Sequence, residues 1–204
     1  MSAIELDFPV PEVKQPTEDR LLGVYDRLPE EEYRRAPGIN KSGMDNFMRS
    51  PLHYLTMKKT PPPPTPQMFV GSAFHCLVLE PERFDLEYIQ DQYSGSKSKE
   101  AEAWRFEQRA AGKTTINAKP GKFWDPSDWD MIHYMRDSVM AHDVAPILLQ
   151  GKVEQSLFWI DKKRGFHQGT GKLCKGRIDA YNEDHNVICD LKSAADASYA
   201  GFQK

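Results

Sequence analysis

Three side chains near the C-terminal end could do phosphoryl chemistry together: Asp179, Asp190 and Lys192, within GRIDAYNEDHNVICDLKS over residues 176–193. Side chains alternate along a strand with period two, so Lys175, Arg177 and Asp179 share one face of a first predicted strand. Ile188, Asp190 and Lys192 share one face of the next. Between them, residues 182–186 (NEDHN) have the polar, Asn/Asp-rich chemistry of a reversal between antiparallel strands. That hairpin makes Asp179 and Asp190 neighbours across the ladder. Two carboxylates so close resist joint ionisation unless a hard cation lies between them, and Mg²⁺ favours one or two carboxylates with water and phosphate oxygens. Lys192 could orient or help deprotonate an attacking water and offset charge building on the phosphoryl group. Taken alone, D-x₁₀-D-x-K also fits a solvated surface hairpin carrying an Asp–Lys pair.

The elements that must position these groups are legible around them. The apolar period becomes extended from Val153, which predicts strands over 153–160, 172–180 and 187–192, with a loop over 161–171 carrying Lys162, Lys163 and Arg164. A helix is expected to begin near Gly71–Ser72, with Ala73, Phe74, Leu77 and Val78 as its apolar stripe and His75 on the flank. A histidine there is more often a satisfied core or boundary residue than a ligand. Upstream, TPPPPTP over 60–66 is a stiff polyproline spacer setting the entry of that helix. Before it, Ser42 reads as the N-cap of a short helix, ended or restarted at Pro51, and a second short helix covers 52–58. Further helices are expected over 98–111, stopped by Gly112, and from Ser127 to about 141. Trp124 and Trp129 read as core or domain-edge aromatics.

Five blocks lie in a characteristic order: GINKSGMDNFMRSPLHYL (38–55), VGSAFHCLVLEPERF (70–84), VEQSLFW (153–159), GRIDAY (176–181) and CDLKSAAD (189–196). In these blocks the chain resembles the PD-(D/E)xK nucleases and, within them, the exonuclease VIII (RecE-type) branch of phage and prophage recombination nucleases. The resemblance implies an α/β (α+β) fold with a restriction-endonuclease-like core, a mixed sheet and flanking helices. It implies metal-dependent hydrolysis of DNA phosphodiesters, with His75, Asp179, Asp190 and Lys192 at the family's active-site positions. The backbone carbonyl of Leu191 would be a further metal ligand, and Glu154 matches an acidic position whose contact with the metal the sequence leaves open. The cofactor so implied is Mg²⁺, with Mn²⁺ able to substitute because it tolerates an imidazole nitrogen well. The implied partners are double-stranded DNA ends, further copies of the chain in a ring-like oligomer, and a single-strand annealing protein. The family core continues past its third strand with a helix and a strand, whereas only 12 residues follow Lys192 here. The C-terminal helix and strand are therefore expected to be largely missing. A catalytically idle DNA-binding or assembly module keeping the nuclease fold is the alternative function.

Composition sets the frame. With 204 residues, 39% apolar and 28% charged, the chain is expected to be one soluble globular domain with an arm: residues 1–37, then a nuclease domain over 38–204. The arm holds five prolines and no sustained apolar period, so it is read as loosely structured with one helical turn over 30–34. No apolar run approaches the ~20 residues that span a membrane, and the first residues lack the order of a signal peptide, which points to the cytoplasm. Cys76, Cys174 and Cys189 read as buried free thiols, too few for an iron–sulfur cluster. Net charge is −3, yet residues 151–180 hold seven basic and three acidic side chains, a distribution able to track a phosphate backbone beside a metal site.

Overall fold

A computed structural model describes residues 21–122, 125–162, 171–194, 196 and 198–202. Its centre is an antiparallel sheet in the order β1 (Gly23–Tyr25), β4 (Lys152–Asp161), β5 (Lys172–Asn182) and β6 (Val187–Cys189). A parallel pair stands apart from it, β2 (Tyr88–Asp91) beside β3 (Thr114–Asn117). The chain is thus a mixed α/β fold with antiparallel and parallel strands and flanking helices.

The helix that closes the core is α4 (Pro66–Leu79). It begins a turn before the expected Gly71–Ser72, because Thr65 accepts a hydrogen bond from the Met68 amide and Pro66 takes the first helical position. Proline suits that position: its missing N–H would have no intrahelical partner and its φ is already helical. Phe74, Leu77 and Val78 of α4 are buried with Phe84 of α5 (Pro81–Glu87), Ile116 of β3, Ile132 of α7 (Asp128–Met140), Val153 and Ala180. Fully burying Phe74 and Phe84 contributes on the order of 2–3 kcal/mol each. The short α8 (Ala145–Leu148) follows α7, and α6 (Lys99–Ala110) packs on the parallel pair, where Arg105 donates to Asp91 and to the Tyr93 and Ser96 carbonyls.

Two shorter helices precede α4. In α2 (Lys41–Arg49) the cap is Asn40, whose Oδ1 accepts from Gly43 at 2.9 Å, rather than Ser42. Asn40 holds the extended backbone a cap requires, whereas Ser42 is already inside the helix. Ser50 caps α3 (Pro51–Lys59) in the same way, again with proline first.

Within the expected arm, residues 21–37 lie on the sheet. β1 pairs with β4 at the sheet edge and α1 (Glu30–Arg35) covers one sheet face. Tyr33 packs with Phe158 and Leu173. Lys175, buried, donates to the carbonyls of Tyr33 and Ala36 at 2.7 Å and of Arg34 at 3.2 Å, filling acceptors the end of α1 leaves open. Burial lowers the pKa of this ammonium, and its proximity to Lys58 does so further. Gly38, at φ +118°, then turns the chain over β5, where Ile39 bridges to Cys174. Residues 1–20, Trp124, Lys163 and Arg164 lie outside the described residues. The segment after Lys192 includes one short helix, α9 (Tyr199–Phe202). The cysteines are free, Cys76 buried and the other two half-buried. Among the described residues no helix is long and apolar enough to cross a membrane.

Candidate metal centre

The site forms where α4 meets β4 and β5. The register that pairs Val153 with Ala180 and Gln155 with Ile178 sets Glu154 opposite Asp179, with both side chains on the face that carries Phe158, Lys175 and Arg177. The ladder is interrupted at this step, and Glu154 adopts φ +53°. A left-handed backbone costs a non-glycine residue roughly 1–2 kcal/mol, so the surrounding packing holds Glu154 in place against that preference.

α4 brings His75 over the same spot. Its Nδ1 lies 3.7 Å from Asp179 Oδ2, and the two side chains are 24% and 14% exposed. One ligand atom each from His75, Glu154 and Asp179 fall within 4.8 Å of one another. Ligand atoms about 2.1 Å from Mg²⁺ stand roughly 3–4 Å apart, so small side-chain movements would close the group on a cation. Gly71, one turn before His75, permits the approach of α4: a Cβ there would stand 3.3 Å from Ser193 Oγ.

Burial acts oppositely on two of the three ligands: it frees the imidazole to coordinate and lets a proton compete for Glu154. Burial raises the Glu154 carboxyl to about 7, and the neighbouring Asp179 charge pushes the same way, opposed by Arg177. Burial lowers the His75 pKa, which leaves a neutral imidazole at pH 7 with a lone pair to donate. Two like charges directly across a ladder destabilise a sheet, and a divalent ion between them removes that cost. A donor set of two carboxylates and one imidazole fits Mg²⁺ or Mn²⁺. Arg177 lies 3.6 Å from Glu154 and is itself held by Ser156, Glu30 and the Leu28 carbonyl.

Of the sequence-derived residues, His75 and Asp179 are brought together. Asp190 and Lys192 lie outside that group: β6 ends at Cys189, and Lys192 Nζ donates to Asp190 Oδ1 at 2.7 Å in an exposed pair. The ladder stops because the Leu191 amide turns inward to Asp179 Oδ2 at 2.7 Å instead of running on along β5. The pair and the Leu191 backbone stay close enough to His75 to affect its charge. Glu154 joins His75 and Asp179, which sequence reasoning left open. The available signal was register: once strands 153–160 and 172–180 are paired, an acidic residue falls opposite Asp179 on its own face.

No curated protein and no solved structure matches the chain. A family model described as a PDDEXK-like domain of unknown function (DUF3799) matches residues 41–204, which include His75, Glu154, Asp179, Asp190 and Lys192. Such a domain points in general to nuclease-type hydrolysis with divalent metal. Over four-fifths of its length, then, the chain belongs to this PDDEXK-like family.

Proposed function

We propose that the chain is a Mg²⁺-dependent exodeoxyribonuclease that degrades double-stranded DNA ends in recombination, with Mn²⁺ able to substitute. The convergence of His75, Glu154 and Asp179 beside the Asp190–Lys192 pair carries this reading. When bound, the cation supplies polarisation of the scissile phosphate and a lowered pKa for the attacking water. His75, Glu154 and Asp179 would hold it. The Leu191 amide fixes the Asp179 carboxylate, so that its other oxygen stays directed by the backbone rather than by solvent. Lys192 uses one of its three N–H groups on Asp190, which leaves donors for a phosphate oxygen or the water. Asp190 orients that ammonium and offers a further carboxylate at the edge of the site. Arg177 offsets the cost of holding a charge at half-buried Glu154 and ties its position to α1.

The exonuclease VIII branch is supported by the order of the five sequence blocks, with residues 38–204 as the nuclease domain. Action in the cytoplasm, a homo-oligomer around DNA and an annealing-protein partner belong to the same proposal. The test is degradation of end-labelled linear duplex with Mg²⁺, set against a closed circular duplex. The native chain should shorten the linear form and spare the circle, and Lys192→Ala should stop it. Unchanged degradation by Lys192→Ala would remove this site from the chemistry.

A further inference from the structure

The α2–α3 hairpin carries a surface that the metal centre does not use. Neither helix buries a residue. Met44, Phe47 and Met48 follow one another at helical spacing along α2, and Leu52 and Leu55 extend the stripe onto α3; all five are exposed, Met48 at 78% and Leu52 at 74%. Phe47 is held edge-on against Tyr54, 6.2 Å between ring centroids, so the stripe has a fixed aromatic wall. Five exposed apolar side chains on two helices packed as a hairpin mark an interaction surface.

Charge identifies the partner. Residues 41–59 hold four basic side chains, Lys41, Arg49, Lys58 and Lys59, against the single carboxylate of Asp45, in a chain whose net charge is −3. Lys41 is paired with Asp45, while Lys58 Nζ stands 5.9 Å from the centre of the Tyr54 ring. Cations around an apolar and aromatic strip are what unpaired nucleic acid requires: bases stack on the strip and phosphates meet the ammonium groups. A second copy of the chain would leave those like charges facing each other.

Position agrees. The hairpin is rooted at one end on β5, through the Ile39–Cys174 bridge, and at the other on α4, which carries His75. From Cys174 to Asp179 is five steps of strand, about 17 Å, a span that a few nucleotides of an extended single strand cover. From these observations we infer that the α2–α3 hairpin is a docking surface for the unpaired, single-stranded end of a nucleic acid whose backbone passes the metal centre. The inference rests on the nuclease reading for its substrate, and its test is separable from it.

The experiment is fluorescence anisotropy, in EDTA, of a labelled duplex with a short single-stranded tail and of its blunt counterpart. Native chain is compared with Met48→Ser/Leu52→Ser and with Lys58→Ala/Lys59→Ala, their fold checked by circular dichroism. The apolar double variant should bind the tailed duplex about tenfold more weakly and the blunt one unchanged. The lysine double variant should weaken both and reduce the dependence of affinity on salt. Native-like tailed binding by Met48→Ser/Leu52→Ser would overturn the inference while leaving the nuclease reading intact. So would a native dimer that this variant dissolves, since a second copy would then cover the stripe. Loss of tailed binding by Met48→Ser/Leu52→Ser, beside a native chain that binds the tail and cleaves no DNA, would support the docking surface and refute the nuclease.

Discussion

Glu154→Gln separates the two demands placed on the site. Glu154 is half-buried opposite Asp179, and its carboxyl is raised from 4.5 to about 7. Because the folded value lies above the unfolded one, the folded chain binds this proton more tightly. Its contribution favours folding at pH 4.5 and below, declines as pH rises from 4.5 towards 7, and above 7 has become a fixed cost. A rise from 4.5 to about 7 corresponds to about 3 kcal/mol for holding this carboxylate ionised without a cation. Glutamine keeps the shape and removes the charge. In urea unfolding with EDTA at pH 8, Glu154→Gln should therefore be more stable than the native chain by about 2–3 kcal/mol, or roughly 4–12 °C in Tm. At pH 4.5 the two should coincide within about 0.5 kcal/mol. Added Mg²⁺ should reverse the order at pH 8 by stabilising only the native chain. A variant less stable than native at pH 8 in EDTA would refute the reasoning, since Arg177 would then be compensating the charge in full.

Asp179→Asn should abolish cleavage and metal binding together, whereas Asp190→Asn, removing a carboxylate paired with Lys192 outside the cluster, should lower kcat and leave Mg²⁺ affinity within about threefold; calorimetry beside a nuclease assay distinguishes them. Lys175→Met should destabilise the chain by about 3 kcal/mol in urea unfolding, because three carbonyls at the end of α1 lose a charged donor.

The sequence exposed the chemistry of this site better than its assembly. Asp179 and His75 could be named because their blocks are local: one lies on a strand with strict alternation, the other one turn after a glycine in an apolar helix. Glu154 depends on a pairing between strands separated by a long loop and on a backbone conformation glutamate disfavours, and neither leaves a local signature. Continuing the period of β6 places Asp190 in the ladder, but the period ends where the Leu191 amide finds the Asp179 carboxylate. TPPPPTP reads as one spacer over 60–66, which sets the start of α4 too late: Thr65 caps the helix and Pro66 opens it. Residues 21–37 carry little apolar period, and what orders them is long-range: two cations of β5, Lys175 and Arg177, grip the carbonyls and the ring of Tyr33 in α1. Their charge was legible, but their direction of use was not.

If His75, Glu154 and Asp179 share one divalent cation, calorimetric titration of Mn²⁺ will register it. The native chain should take up one ion, with affinity rising about tenfold per pH unit below 7 as Glu154 gives up its proton. His75→Ala should weaken that binding about tenfold or more, and Glu154→Gln should weaken it further. Equal affinity in the native, His75→Ala and Glu154→Gln chains would contradict the account and return all three residues to a structural role.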